Sequence, residues 1–309
     1  MPKMLSAFFN LIRWKNILMI ALVQLLVKYS LLEPFGVSTS LDFKGILTLV
    51  FATVCIAAAG NIINDIQDIE TDSINKPERV IIGKTISEKS AYNLFVILNI
   101  LGVCLGYLLS NSVNRSAFFS LFVIISLLLY LYATYLKRTL LVGNLVISFL
   151  VALSLLVVGV FELIPSLTAL NQETQWLFFK IILDYAVFAF IINFIREIVK
   201  DIEDIDGDFK ASMNTLPIAL GRNRAKTIVI ALSFIPLVGT IFYTVSNLYT
   251  QNIAVIYFLI LIIGPLLYST IKTFNAKSKQ DYHHISSILK LVMLFGMLSL
   301  LLYKFVIFN

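Results

Sequence analysis

Long apolar stretches alternate with short polar connections along the whole chain. A helix needs about 20 mostly apolar residues to cross the hydrocarbon core of a bilayer. Nine stretches of roughly this length occur, so the pattern predicts an all-α protein whose nine transmembrane helices form a bundle. The predicted spans lie near residues 14–33, 44–64, 89–110, 116–136, 141–162, 177–200, 225–246, 252–272 and 285–308.

The composition agrees with an integral membrane protein. Apolar residues make up 59% of the 309 positions and charged residues 14%, and the mean hydropathy is +0.91. These values are far from the balance of a soluble globular domain. No low-complexity segment or separate soluble domain interrupts the pattern, so we expect residues 1–309 to form a single domain.

Positive charge is distributed unevenly between the two sides of the predicted bundle. Most of the 24 lysine and arginine residues fall at the N-terminus and in every second connection, whereas the other side has only Lys44, Arg115 and Lys304. Cytoplasmic loops are enriched in Lys and Arg, so this asymmetry predicts a cell-membrane protein with a cytoplasmic N-terminus. The net charge of +6 is then explained by topology and by contact with anionic membrane lipids, and does not indicate nucleic-acid binding.

The carboxylates are concentrated in two stretches, at the predicted cytoplasmic ends of the second and sixth spans. Each stretch contains the spacing D-x-x-D-x-x-x-D, and the two copies are offset by 136 positions throughout. Positions i, i+3 and i+7 lie on one face of a helix. Carboxylates this close repel one another unless a cation neutralises them, so the pattern predicts bound divalent metal. The two sets are Asp65, Asp68 and Asp72, and Asp201, Asp204 and Asp208.

Other polar residues follow the same helical phase. Asn64 precedes Asp68 by four positions, and amide and carboxylate oxygens are ligands that suit Mg²⁺. In the second stretch, Arg196 and Lys200 continue the four-residue step of Asp204. Guanidinium and ammonium groups bind phosphate oxygens, so the two stretches together predict a site for a magnesium-diphosphate complex.

Three other interpretations of the acids compete with this one. A solvated ladder of salt bridges accounts well for one such cluster, but poorly for two clusters with identical spacing. An EF-hand loop would require a cation ligand at Ile202, whose side chain has no oxygen. An ion-binding transporter or channel predicts acids near the middle of the membrane. The acids here collect at span ends, so a transporter is a remote alternative.

With both motifs in view, the chain resembles the UbiA superfamily of intramembrane prenyltransferases. The hallmarks of that family are an N-D-x-x-D-x-x-x-D motif after the second helix and a D-x-x-G-D-type motif after the sixth. The matching segments here are residues 64–72, with the sequence N-D-I-Q-D-I-E-T-D, and residues 196–208, which end in D-I-D-G-D. The helix count, both motif positions and the following Thr215-Leu216-Pro217 agree, so the resemblance covers essentially the whole chain.

This resemblance implies an enzyme in which the helices surround a central apolar cavity that two acidic cap loops close on the cytoplasmic side. In such enzymes Mg²⁺ joins the aspartates to the diphosphate of a polyprenyl donor, and an acceptor captures the allylic carbocation that departure of the diphosphate leaves. Carried over by position, the implied metal ligands are Asn64, Asp68, Asp72, Asp204 and Asp208, with Asp65 and Asp201 in support.

The resemblance also implies roles for individual side chains at the donor. The diphosphate would contact Lys200 and Arg79, and Asn64 would also bind substrate. Catalysis would depend on Asp68, Asp204 and Lys200. The chain departs from the family pattern in one place, because many relatives follow the first motif with Arg-Pro, whereas Val80 follows Arg79 here.

The start of the second motif indicates a branch of the family. Arg196 occupies a place where quinone-forming members often have tyrosine, and the form R-E-x-x-K-D-x-E-D is similar to the branch that makes digeranylgeranylglyceryl phosphate. This predicts transfer of a geranylgeranyl group to the hydroxyl of a glycerol-phosphate lipid, whose phosphate would be bound by Arg196, Lys137 and Arg138. For Lys137 and Arg138, a topological role in a short cytoplasmic loop is the stronger interpretation. Asn144 would either orient the acceptor or hydrogen-bond a neighbouring helix.

An aromatic acceptor is the closest alternative, and would be a menaquinone precursor, 4-hydroxybenzoate or a haem. The acidic motifs do not distinguish these acceptors, because both reactions release diphosphate from the same kind of donor. The length of the donor chain depends on side chains at the far end of the cavity, which the motifs do not specify.

Overall fold

A computed structural model describes residues 2–78 and 80–304, apart from the side chains of residues 2 and 3. Within these ranges the chain folds into helices joined by short connections, with an isolated β-bridge between Ile82 and Ile86. The α-helices are α1 Pro2–Leu11, α2 Trp14–Leu26, α3 Phe43–Gln67, α4 Ile69–Asn75, α5 Glu88–Ser112, α6 Phe119–Thr134, α7 Val142–Leu163, α8 Gln172–Lys210, α9 Leu216–Leu220, α10 Arg222–Asn247, α11 Asn252–Phe258, α12 Gly264–Asn275, α13 Lys279–Leu298 and α14 Leu300–Leu302.

Some of these helices join into longer stretches. A π-helical turn, Val27–Leu32, extends α2, and a second one, Leu259–Ile263, connects α11 to α12. In the part of the chain that the structure describes, nine helical stretches are long and apolar enough to cross a membrane. They are Trp14–Phe35, Phe43–Gln67, Glu88–Ser112, Ser116–Thr134, Val142–Leu163, Gln172–Lys210, Arg222–Asn247, Asn252–Asn275 and Lys279–Leu302.

The predicted all-α bundle with nine spans is confirmed. Most predicted boundaries lie within one helical turn of the observed ones, but the sixth and ninth spans differ more. The ninth begins at Lys279 because Ser278 and Asp281 form a capping box that starts the helix in a polar segment. A window that counts apolar residues does not detect such a polar first turn.

The sixth span extends beyond its predicted end at residue 200, and the second acidic motif, residues 196–208, is part of it. These residues are helical, because α8 continues without a break to Lys210. Ile198, near the predicted end, and Ile202, beyond it, are buried on one face of α8, so apolar contacts stabilise the helix past the predicted end of the span.

Small residues allow α3 and α5 to approach closely. A Cβ added to Gly102 of α5 would lie 2.6 Å from Cγ1 of Ile56 and 2.9 Å from the carbonyl oxygen of Ala52, both on α3. Close approach at glycine is the usual way in which membrane helices gain packing contacts. This contact packs α5 closely against α3, the helix that carries the start of the first acidic motif.

Helices α8 and α13 pack in antiparallel orientation. The Nδ1 atom of His283 lies 3.1 Å from Oε1 of Glu203, and Tyr185 and Ser299 share a hydrogen bond of 2.7 Å between their hydroxyl oxygens. These two contacts fix which residues of the two helices lie at the same level.

A buried ion pair joins three elements at the end of the bundle opposite the acidic motifs. Lys28 and Glu162 are 1% and 0% exposed, and Lys28 Nζ lies 2.8 Å from Oε1 of Glu162. Lys28 Nζ also donates to the carbonyl oxygen of Leu41 at 2.6 Å, and the backbone N–H of Leu41 donates to Oε2 of Glu162 at 3.1 Å. The pair therefore has additional hydrogen bonds that offset the cost of burying its charges.

We expect Glu162→Ala to destabilise the protein by about 3–5 kcal/mol, because the buried Lys28 ammonium loses its close anion and keeps only the exposed carboxylate of Glu33, 3.6 Å away. Thermal unfolding in detergent micelles measures the effect as a lower midpoint. The double variant Lys28→Met/Glu162→Leu should recover much of the loss, since it removes both charges. Equal midpoints for the single variant and the wild type would contradict this account of the pair.

Candidate active site

The first acidic motif lies where the second span ends. Helix α3 stops at Gln67, Asp68 has φ −98° and ψ 6°, and α4 begins at Ile69. Across this break Asn64 Nδ2 donates to Oδ2 of Asp68 at 2.7 Å. The motif is therefore carried by two helices and not by one continuous helix face, and Asp68 stands at their junction.

Two cations from other elements pair with the first motif. Lys137, in the turn between α6 and α7, forms a short ion pair with Oδ1 of Asp68. Arg13, between α1 and α2, pairs with Oδ1 of Asp65 at 2.7 Å. Burial lowers the pKa of Lys137 despite the opposing field of Asp68, whereas the field of Asp65 raises the pKa of Arg13. Lys137 thus has a specific partner in addition to any topological role.

The second acidic motif lies along α8, with its cations one turn before its acids. Glu197 accepts hydrogen bonds from Nη1 of Arg196 at 3.2 Å and from Nζ of Lys200 at 2.8 Å. Asn144 of α7 donates to Oδ2 of Asp201 at 2.7 Å. This contact is the interhelical hydrogen bond that was one of the two predictions for Asn144.

The side chain of Asn75, at the end of α4, connects the two motifs. Its Nδ2 donates to the carbonyl oxygen of Asp204 at 2.9 Å, and its Oδ1 accepts from the backbone N–H of Gly207 at 3.0 Å. The next residue, Lys76, lies with its Nζ 2.6 Å from Oδ2 of Asp204 and 3.7 Å from Oε1 of Glu203. Two consecutive residues that follow the first motif therefore fix the position of the second.

Electrostatics at the first motif favour an added cation. Burial, followed by the repulsion of Asp68 and Asp65, raises the pKa of Asp72 to about 6. The pKa of a carboxyl group is raised when its surroundings disfavour the negative charge, and a nearby cation lowers that pKa again. Lys137 and Arg13 thus leave part of the negative charge of this cluster unbalanced.

The donor atoms of the two motifs fit Mg²⁺. Within residues 2–78 and 80–304, no three His, Cys, Asp or Glu side chains converge closely enough to hold a metal by themselves. However, Oδ1 of Asn64 and Oδ1 of Asp204 are buried and accept no hydrogen bond. Buried polar atoms normally have a partner, and hard oxygens are the ligands that Mg²⁺ prefers, together with phosphate oxygens of a substrate. Asn64 is hydrogen-bonded to Asp68, the charge of Asp68 acts on Asp72, and the charge of Asp204 acts on Asp208.

The predicted cationic contacts differ in their positions. Arg79 lies outside the described residues. Arg138 is exposed, and its backbone carbonyl accepts from the N–H of Asn214 at 2.9 Å. Arg196 is different, because its Nε is buried and has no hydrogen-bond partner.

Sequence reasoning missed Arg13, Asn75 and Lys76 as parts of this site. Topology alone accounts for cations near span ends, so nothing in the sequence distinguishes Arg13 or Lys76 from other such cations. Asn75 did carry a signal, because it follows Asp72 by three positions and so continues the helical phase of the motif.

Comparison with known proteins agrees with the motifs. Residues 32–294 match the model of the UbiA prenyltransferase family. The digeranylgeranylglyceryl phosphate synthase of Korarchaeum cryptofilum is 31% identical over 304 residues, which cover 97% of this chain and 98% of that protein. A solved structure of digeranylgeranylglyceryl phosphate synthase is 27% identical, with a TM-score of 0.61 and coverage of 97% and 99% of the two chains.

A more distant structure shares the fold. A UbiA homolog from Archaeoglobus fulgidus, bound to GPP and Mg²⁺, is 15% identical, with a TM-score of 0.55 and coverage of 96% of this chain and 99% of that one.

We expect Gly207→Ala to reduce turnover about ten- to hundredfold, because small displacements of catalytic groups have effects of this size. The new Cβ would lie 2.3 Å from Nδ2 and 2.5 Å from Cγ of Asn75, so the contact between the motifs has to shift. Steady-state rates of the purified variant measure the loss.

The matched control is Gly239→Ala, also inside a long helix, where a Cβ would meet no atom within 4 Å. Both substitutions remove a helical glycine and so have the same effect on helix propensity. Turnover by the Gly239 variant should equal that of the wild type. If the Gly207 variant also turned over as fast as the wild type, the contact between Gly207 and Asn75 would not be what positions the site.

Proposed function

The chain belongs to the UbiA prenyltransferase family, and we propose that it transfers a geranylgeranyl group from its diphosphate to the hydroxyl of a glycerol-phosphate lipid. The observation that carries this choice of acceptor is the likeness, over nearly the whole chain, to digeranylgeranylglyceryl phosphate synthases. Arg196, which stands beside the second motif with an unpartnered Nε, supports an acceptor that carries an anionic group of its own.

The proposed reaction breaks one bond and forms one. The bond between C1 of the prenyl chain and the diphosphate oxygen breaks, and its electron pair leaves with the diphosphate. The acceptor hydroxyl oxygen then attacks the allylic carbon, on which positive charge develops, and forms an ether bond. The products are the ether lipid, diphosphate and the proton of the hydroxyl.

The chain's own residues would hold the leaving group and its counter-ions. Bound Mg²⁺ would neutralise the diphosphate and so stabilise it as it leaves. The Archaeoglobus fulgidus homolog bound to GPP and Mg²⁺ supports this assignment. The residues that would hold the metal are Asn64, Asp68, Asp72, Asp204 and Asp208, with Asp65 and Asp201 in support.

Lys200 and Arg79 would bind the diphosphate oxygens directly, as charge-assisted donors. Glu197 holds the ammonium of Lys200 at 2.8 Å and so restricts it to the side of α8 that carries the second motif. Lys137 and Lys76 each neutralise one carboxylate oxygen of the metal-binding set. Asn75 holds the first motif next to the second through its hydrogen bonds to the backbone of Asp204 and Gly207. In this arrangement the acceptor hydroxyl is the nucleophile, and water must be kept out because it would react with the same carbon.

The protein is a multi-pass membrane protein, and we infer that its active site faces the cytoplasm in the cell membrane, as part of a single domain over residues 1–309. Arg13, Lys76 and Lys137 all lie at the end of the bundle that carries the acidic motifs. A concentration of cations at one end of the spans supports a cytoplasmic location for that end.

A direct assay distinguishes the proposed acceptor from an aromatic one. Purified protein is incubated with Mg²⁺, geranylgeranyl diphosphate and either geranylgeranylglyceryl phosphate, 4-hydroxybenzoate or a menaquinone precursor. Mass spectrometry of the lipid extract should detect a product only with the glycerol-phosphate lipid, its mass increased by one geranylgeranyl group. A product formed from an aromatic acceptor alone would overturn the proposal.

Removal of either metal-facing carboxylate should abolish activity. We expect Asp68→Ala and Asp204→Ala each to lower turnover by at least about a hundredfold, because each removes charge that would stabilise the departing diphosphate complex. The matched controls are Glu70→Ala and Asp206→Ala, which remove exposed carboxylates from the same two segments and should retain activity. Full activity in either of the first two variants would refute the assignment of metal ligands.

A further inference from the structure

Lys290 is a lysine well inside the ninth span. It lies eleven residues beyond Lys279, or about 16 Å along the helix at about 1.5 Å per residue. Its Nζ donates to Oδ1 of Asn16 at 2.5 Å, and no carboxylate of the described chain forms an ion pair with it. An ionisable side chain at membrane depth is costly, and it usually marks a functional site.

The packing of α13 against α8 places Lys290 beside the second motif. The two helices are antiparallel, and His283 lies opposite Glu203 with 3.1 Å between the interacting atoms. Seven residues further into the membrane on each helix, which is two turns, are Lys290 and Arg196. The two cations therefore lie at the same level of neighbouring helices.

The surroundings of Lys290 contain an excess of positive charge. The charged side chains that act most strongly on it are all cations, namely Arg196, Lys15, Arg13 and Lys200. Glu197 serves both Arg196 and Lys200 as a partner. The Nε of Arg196 is nevertheless buried without a hydrogen-bond partner. Like charges repel when they are close, so this group of cations is suited to an anionic ligand.

We propose that Lys290, together with Nε of Arg196 and the side chain of Asn16, binds the phosphate of the acceptor lipid. This inference rests on the proposed function. A phosphate monoester carries up to two negative charges and accepts hydrogen bonds from ammonium, guanidinium and amide groups. None of the phosphate contacts predicted on the turn after α6 is needed, since Lys137 is paired with Asp68 and Arg138 is exposed.

The location suits the chemistry of the acceptor. In a glycerol phosphate that already carries one chain, the free hydroxyl is attached within one or two carbon atoms of the phosphate-bearing carbon. The phosphate must therefore bind close to the carbon that is attacked. Arg196 lies one helical turn from Lys200, the residue assigned to the donor diphosphate, so the two anions would bind side by side on one face of α8.

Steady-state kinetics with each substrate varied separately test this assignment. Lys290→Met should raise the KM for geranylgeranylglyceryl phosphate about ten- to hundredfold, the usual effect of losing a charged hydrogen bond. The KM for geranylgeranyl diphosphate should not change. Asn16→Asp, which places a carboxylate beside Lys290, should act in the same direction, and Lys290→Arg should retain most of the affinity.

The matched control is Lys180→Met, because Lys180 is an exposed lysine at the other end of α8 and has no part in the site. Its kinetics should equal those of the wild type. If Lys290→Met raises the KM for the donor instead, or alters neither KM, the inference is overturned while the proposed function stands. If the wild type does not prenylate the phosphate lipid, the proposed function fails, and the inference fails with it.

Discussion

Repulsion between carboxylates that are crowded together at one end of a membrane bundle is the constraint on which the rest of this site depends. Two spans end in acidic motifs, and Asn75 brings those motifs into direct contact. Each motif is partly neutralised by a cation from another element, Lys137 for the first and Lys76 for the second. The acidic end therefore holds together only when the helices that carry these cations are packed around it.

The buried pair at the opposite end of the bundle shows the contrast. Lys28 pairs closely with Glu162 and lies 3.6 Å from the exposed carboxylate of Glu33, and backbone groups of Leu41 satisfy further hydrogen bonds of Lys28 and Glu162. An ion pair whose hydrogen bonds are satisfied within the protein requires no ligand, and it contributes to stability. At the acidic end the hydrogen bonding is incomplete, because buried oxygens of Asn64 and Asp204 have no hydrogen-bond partner. The Lys28–Glu162 pair, whose charges and hydrogen bonds are satisfied, therefore has a structural role. The acidic motifs, whose charges and hydrogen bonds are not fully satisfied, are suited to binding a ligand.

The hydrophobic pattern was sufficient to predict nine spans, because apolar length is a direct requirement of the bilayer. It did not predict the extension of α8 to Lys210, since there the helix is stabilised by Ile198 and Ile202 packing within a polar segment. The repeated aspartates indicated the acidic site from spacing alone. The partners of those aspartates could not be predicted, because Arg13 and Lys137 reach them from distant parts of the chain. The spacing of residues along the sequence shows which side chains share one face of a helix. Which residues pack against that face depends on the tertiary structure.

The order of charges along α8 has a consequence for how two amphiphilic substrates could bind. Arg196 precedes Asp204 by eight residues, or about 12 Å along the helix, so Arg196 lies deeper in the membrane than Asp204 and Asp208. Lys290 on α13 adds positive charge at that deeper level. A lipid acceptor whose chain remains in the hydrocarbon region would meet these cations before it reached the acids, and the acids would repel its phosphate. In the proposed function, metal-bound diphosphate would instead be held by the carboxylates. The same helix can therefore keep the two anionic head groups apart and still bring the hydroxyl of one to the reacting carbon of the other.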